Sequence, residues 1–315
     1  MKTLDLIGLG ECMVELFAEE PLATTTVLHK RYGGDVLNAL VSAARLGSAT
    51  GFITRVGDDP FGPGLRAAWA VEGVDISRAP LVSGENGVYF VGLHRGERSF
   101  SYRRAGSAAS QLGPSDVDAG YIASSRAILL SGITQALSTT ARAATLEAAQ
   151  IARQKGTLVA YDPNYRPRLW TAHGGASAAR AAFEELTPHT DWLLASYPSD
   201  LEFLWSPVLQ PLEALSRLAA HVPQGALKLG KQGALLWQQG SLAEIPAFPT
   251  RVVDTTGAGD AWDGAFLHGL THGLAPEQAA QGAACIASLK LAYRGAIPLE
   301  AGLYCWAWEV MGLEG

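Results

Sequence analysis

The densest chemistry in this sequence lies in seven residues, Asp254-Thr-Thr-Gly-Ala-Gly-Asp260. Gly257, Ala258 and Gly259 are small, and they stand just before a run with helical periodicity from Asp260 to Gly273. Small residues let backbone N–H groups point at one spot, and a helix N-terminus adds partial positive charge there. The result is a cradle for phosphate oxygens and for the charge that develops on a phosphoryl group in transit. A carboxylate at Asp260 would stay ionised beside it and accept the proton of an attacking hydroxyl. Taken alone, Asp260 would read as a helix N-cap and the glycines as a turn. The run of small residues and the second aspartate at position 254 turn the reading towards catalysis. No GxxxxGK[ST] loop occurs. The turn after the first strand, Gly8 to Met13, lacks the third glycine of a dinucleotide fingerprint, which argues against a nicotinamide-dependent oxidoreductase.

The elements that must position this motif alternate along the chain. Leu4 to Leu9 reads as a buried strand, Asn38 to Leu46 as a helix stopped at Gly47, Thr50 to Val56 as a strand and Gly64 to Val71 as a helix. The alternation resumes with strands at Ala127 to Leu130, Thr157 to Tyr161 and Trp192 to Ala195. Helices at Ser138 to Lys155, Ala176 to Leu186 and Leu212 to His221 accompany them. Gly225 to Leu229 and Gly233 to Gln238 read as two further strands, and Pro276 to Tyr293 as a last helix. Such a pattern predicts an α/β fold whose mostly parallel sheet is covered by helices. One stretch breaks it. Gly87 to His94 and Arg98 to Arg103 are β-rich runs joined by a turn at Arg95 to Glu97, a hairpin suited to a flap over a site. Segments around Met13 to Ala18 and Val27 to Tyr32 are its expected partners. An apolar edge at Val88, Phe90 and Val91 suggests pairing of such flaps into a homodimer or larger assembly.

Composition narrows the classes. The 315 residues, 48% hydrophobic and 17% charged, allow one large domain with a sizeable core. A net charge of −6 argues against broad nucleic-acid binding. Cys12, Cys285 and Cys305 have neither metal-ligand nor disulfide spacing, as expected in a reducing cytoplasm. The N-terminal residues lack the pattern of a signal peptide, and no apolar run is long enough to span a bilayer.

Asp254 to Phe266 resembles the C-terminal signature of the PfkB, or ribokinase-like, carbohydrate kinases. The likeness extends to Gly33-Gly34-Asp-Val-Leu-Asn38, to Arg55-Val-Gly-Asp-Asp-Pro-Phe-Gly62 and to Leu227-Lys-Leu-Gly-Lys-Gln-Gly-Ala234. It implies a single three-layer α/β/α domain over residues 1–315, with a small β-sheet lid drawn from about 11–32 and 87–104. It also implies ATP and Mg2+ as cofactors. Ser196, Lys228, Gly230, Gly233, Gly257 and Gly259 would border the nucleotide, and K+ would sit near Asp254, Thr256 and Gly295.

Within that family, Tyr102 to Ser110, Leu130 to Ser138 and Asp162 to Trp170 resemble 2-keto-3-deoxygluconate kinases. A sugar acid carries a carboxylate, which arginine grips in a bidentate fork. The resemblance implies Tyr89, Tyr102, Arg104 and Arg166 as substrate contacts, with Gly34, Asn38 and Asp260 on the hydroxyls. Apart from it, Arg104 reads equally as a solvated strand end, the tyrosines as cross-strand packing and Asp162-Pro-Asn164 as a turn. Two departures stand out. Asp35 and Leu40 replace small residues, and Ser196-Tyr-Pro-Ser-Asp200 replaces an Asn-x-x-Glu motif that organises magnesium, with Asp200 the candidate substitute. The alternatives are a neutral-sugar or nucleoside kinase of the same fold and a non-catalytic sugar-acid sensor.

Overall fold

The computed structural model describes residues 2–94, 97–207 and 209–313. In chain order the strands are β1 (Leu4–Leu9), β2 (Met13–Phe17), β3 (His29–Gly33), β4 (Thr50–Ile53), β5 (Val56–Gly57), β6 (Val74–Asp75) and β7 (Leu81–Val82). They continue with β8 (Gly87–His94), β9 (Glu97–Arg103), β10 (Ser125–Ser131), β11 (Leu158–Asp162), β12 (Trp192–Ser196), β13 (Gln224–Lys228), β14 (Ala234–Gln238) and β15 (Ser241–Ile245). Among the described residues the main sheet has nine strands in the order β15-β14-β13-β12-β11-β10-β1-β4-β6. It is parallel from β6 to β13, and β14 and β15 complete it as an antiparallel edge.

Side chains alternate across this sheet and divide the core in two. Leu6, Leu129, Ala160 and Leu194 pack with the helices Asp35–Arg45, Ala258–Thr271 and Pro276–Leu291 on one face. Ile7, Ile128, Tyr161 and Leu193 pack with Thr139–Lys155 and Gly175–Leu186 on the other. Strands buried on both faces read as near-continuous apolar runs, which is why they were legible. The architecture is therefore three-layered, α/β/α.

A second sheet of four strands, β3-β2-β8-β9, accounts for the hairpin that interrupts the alternation. Residues 95 and 96 of the expected turn lie outside the described residues. The expected apolar edge needs correcting. Val88, Phe90 and Val91 belong to β8, which is flanked by β2 and β9, and Val91 is buried. The edges of this sheet are β3 and β9. Thr50 to Val56 is not one strand either, because β4 joins the main sheet and β5 pairs with β7.

Candidate active site

β1 and β10 are neighbours, but the chain builds outward from them in opposite directions, through β4 on one side and β11 on the other. A crevice opens at such a switch point, beyond the carboxyl ends of the strands. Residues just there are Glu11 after β1, Ser131 ending β10, Asp162 ending β11, Ser196 ending β12 and Lys228 ending β13. The smaller sheet supplies the facing wall through Met13, Tyr89, Phe100 and Tyr102. The cavity between them measures about 730 Å³ and is open on one side.

The helix Ala258–Thr271 starts at this cavity, with Gly257 at its N-cap in a left-handed conformation, φ 75°. That conformation suits glycine, and a Cβ there would also lie 2.8 Å from the Ala296 backbone. Gly257 and Gly259 line the cavity. The cradle differs in one detail from the expected one. The Ala258 N–H turns towards the Thr255 carbonyl at 3.3 Å, whereas among the described residues Gly257, Gly259 and Asp260 give their N–H groups to no protein acceptor. These three are the orphan donors of a first helical turn, free to receive an anion.

Asp260 lines the same cavity and accepts a hydrogen bond from Asn38 Nδ2 at 2.7 Å. Its pKa is pushed up to about 7, first by burial and then by the neighbouring charges of Asp35 and Asp162; Asn38 and Lys228 oppose the rise. A carboxyl poised near neutrality is well matched to taking a proton. Lys228 sits behind the cradle, held by Asp263 at 2.8 Å and more loosely by Asp162 at 3.4 Å. Its ammonium comes within 3.7 Å of where a Cβ on Gly259 would stand.

Of the sequence-predicted residues, the cavity brings together Gly34, Asn38, Tyr89, Tyr102, Arg104, Arg166, Ser196, Thr256, Gly257, Gly259 and Asp260. Gly34 precedes the helix Asp35–Arg45, and the Tyr89 and Tyr102 rings stack at 5.8 Å. The Tyr89 hydroxyl is given to the buried Glu15 carboxylate. The Arg104 guanidinium is paired with Glu11 and lies 4.9 Å from the Tyr102 ring centroid. Arg166 is exposed to the cavity, donates to its neighbour's carbonyl at 3.0 Å and, among the described residues, makes no ion pair. Lys228, Gly230 and Gly233 fall outside this cavity, the glycines at the turn between β13 and β14.

Asp200, the candidate substitute for the magnesium-organising glutamate, lines the cavity and also braces the neighbouring loop. It is 1% exposed, and its two oxygens accept the Tyr165 and Ser196 N–H groups at 2.8 Å each. It shapes the β12 loop. Asp254, Thr256 and Gly295 do come together, but around protein groups. The Asp254 carboxylate accepts from the Thr256 and Gly295 N–H groups and from Arg98.

Sequence reasoning passed over Glu11, Asp263 and Lys290, and treated Asp35 only as a departure. Asp35 accepts from Ser131 and from Asn164 at 3.2 Å, while its Oδ1 is buried with no partner among the described residues. The signal for Lys290 was available, as one charge in the apolar run Cys-Ile-Ala-Ser-Leu-Lys290-Leu. The signal for the others was not, because their importance lies in who faces them.

An anion cradle, a near-neutral carboxyl and an unpaired arginine in one cavity, roofed by a small sheet, define a phosphotransferase acting on a small alcohol. The chain belongs to the pfkB family of carbohydrate kinases, whose model matches residues 2–301. It is 34% identical to a 2-dehydro-3-deoxygluconokinase of Thermoproteus tenax, over 93% of this chain and 90% of that protein. It is 32% identical to a 2-dehydro-3-deoxygalactonokinase of Haloferax volcanii, over 93% and 92% respectively. Among solved structures it resembles an E. coli protein provisionally named ribokinase II, in complex with ATP and Mg2+. That likeness has a TM-score of 0.84 and 25% identity over 93% of this chain and 94% of that one.

Proposed function

We propose that this protein transfers the γ-phosphoryl group of ATP to the C6 hydroxyl of 2-keto-3-deoxygluconate, giving 2-keto-3-deoxy-6-phosphogluconate. The observation that carries the reading is Asp260 and the unpaired Arg166 lining one cavity beside the free amides of Gly257 and Gly259. The sugar-acid carboxylate meets Arg166, with Arg104 completing the grip by exchanging part of its pairing with Glu11. Gly34 and Asn38 meet hydroxyls, and the chain of the substrate runs towards Asp260. Asp260 takes the hydroxyl proton as the new O–P bond forms and the bond to the β-phosphate oxygen breaks. The amides face the charge on the transferred group, with the Lys228 ammonium behind them. The nucleotide extends towards Gly230 and Gly233.

Mg2+ binds oxygen ligands, commonly one or two carboxylates together with phosphates, and keeps several waters. The site fits that habit. Among the described residues no ready-made cluster of three metal ligands exists, yet Asp35 and Asp162 crowd the cavity and Asp35 holds an orphan oxygen. In this reading Asp162 and Asp35 would hold the metal, which would offset phosphate charge when bound. The relatives named above also support the sugar-acid class. No described helix is long and apolar enough to cross a membrane. A cytoplasmic location and assembly through the smaller sheet belong to the same proposal.

The test is phosphoryl transfer by the wild type and by Asp260→Asn, with 2-keto-3-deoxygluconate, its galactonate epimer, ribose, fructose and adenosine as acceptors. The wild type is expected to prefer the sugar acids, and Asp260→Asn to lose about 10²-fold or more in kcat with little change in KM. Preference for a neutral sugar or nucleoside would overturn the substrate, unchanged kcat would overturn the base, and tight binding without turnover would favour a sensor.

A further inference from the structure

The helix Pro276–Leu291 ends against the loop that builds the anion cradle, and it carries a lysine with no contact to water. Lys290 is 0% exposed. Its ammonium donates to the Asp254 carbonyl at 2.7 Å and to the Tyr293 carbonyl at 3.3 Å. A buried ammonium without a carboxylate at hydrogen-bond distance is costly, so the contacts it does make are informative. The cost is eased by its place at a helix C-terminus, where the macrodipole is negative.

The surrounding oxygens are claimed in the same way. Arg31 of β3 donates to the Arg294 carbonyl at 2.9 Å, and Arg98 of β9 pairs with the Asp254 carboxylate. The Gly295 N–H also points at that carboxylate, at 2.6 Å, so the carboxylate is occupied by protein donors. K+ prefers a nest of carbonyl and carboxylate oxygens. Here the carbonyls of Asp254, Tyr293 and Arg294 and the side chain of Asp254 are already given to protein donors. The residues do not fit the monovalent cation that the family resemblance implied.

We propose that the Lys290 ammonium is a built-in monovalent cation, which makes turnover independent of added K+ or Na+. By drawing the Asp254 carbonyl inward it fixes residues 254–257, and so it aims the amides of Gly257 and Gly259 at the transferred phosphoryl group. Two further ties hold the same loop, from the Val253 and Asp254 N–H groups to the Leu291 carbonyl at 2.7 and 3.1 Å. Lys290 is thus a positioning residue, touching neither substrate nor nucleotide. The inference rests on the kinase reading above.

The experiment compares ATP-dependent phosphorylation of 2-keto-3-deoxygluconate in buffers whose only monovalent cation is tetramethylammonium with the same buffers containing K+, Na+ or NH4+. The wild type is expected to run equally fast in all of them. Lys290→Met and Lys290→Ala are expected to lose about 10²-fold in kcat, the scale of a displaced oxyanion donor, with KM for the sugar acid little changed. Lys290→Ala should regain activity with NH4+ or K+, a rescue that a merely packing role would not give. Strong stimulation of the wild type by K+ would overturn the proposal, as would variants that keep full kcat or that no cation rescues. If neither variant folds, the wild-type comparison still decides. A wild type inactive in every buffer would instead overturn the kinase reading.

Discussion

Asp260 is the residue whose chemistry depends most on its neighbours. Its pKa is raised to about 7 by burial first and then by Asp35 and Asp162. Only the ionised form accepts a proton, so kcat/KM should fall about tenfold per pH unit below about 7. A flat profile down to pH 5 would show that Asp260 titrates lower or is not the base. Stability carries the opposite sign. In the unfolded chain the group titrates near ~3.9, so the folded protein binds the proton more tightly. Stability from this group is therefore full below about pH 4 and is lost as pH rises to about 7. Asp260→Asn should raise Tm at pH 8 and have little effect at pH 4, read by thermal melts at both. The two arginines differ in the same contextual way. Among the described residues Arg166 makes no ion pair and donates only to the Tyr165 carbonyl, whereas removing Arg104 would strand the Glu11 carboxylate, which is 1% exposed.

At the scale of elements, the base is aimed by one close helix crossing. A Cβ placed on Gly264 would lie 2.1 Å from the Ala39 carbonyl oxygen, so Ala258–Thr271 and Asp35–Arg45 touch backbone to backbone there. The same crossing brings Asn38 to Asp260 at 2.7 Å. Gly264→Ala must push the helices apart, at a cost of about 1–3 kcal/mol for overpacking. We predict a lower Tm together with a loss of kcat, because the Asn38–Asp260 bond opens. Full activity in a folded variant would show that the crossing does not set the base. The amphipathic and small-residue patterns of both helices were readable in the sequence. Their contact was not, since nothing local says which glycine meets which carbonyl.

At the scale of the molecule, the main sheet holds one half of the site and the smaller sheet the other. The smaller sheet has little core of its own, with Met13, Tyr89 and Val91 as its buried cluster. Val27 and Leu28 remain exposed beside its edge strand β3. A sheet with so little apolar burial gains stability by packing on a neighbour. We therefore expect a homodimer through β3 and β9 rather than through β8, measured by sedimentation. A monomer at working concentration would remove that expectation, and Leu28→Ser, beside β3, should weaken the dimer if it forms.

The sequence by itself determined the layers, the hairpin outside the main sheet and the small-residue motif that opens a helix at the cavity, and the family resemblance pointed to the two arginines that line it. Those features are written in periodicity, in small residues before a helix and in local chemistry, all of which survive in one dimension. β15 and the C-terminal helix Leu303–Val310 went unread. The alternation of β15 is short and mostly exposed, and the helix pattern follows a loop with no capping side chain. Tertiary structure alone decided that Asp200 braces a loop, that Glu11 meets Arg104 and that Lys290 reaches the Asp254 carbonyl across 36 residues of chain. The reason is physical: a charge's role is set by the groups that desolvate and face it, and those arrive from distant parts of the chain only when the core closes.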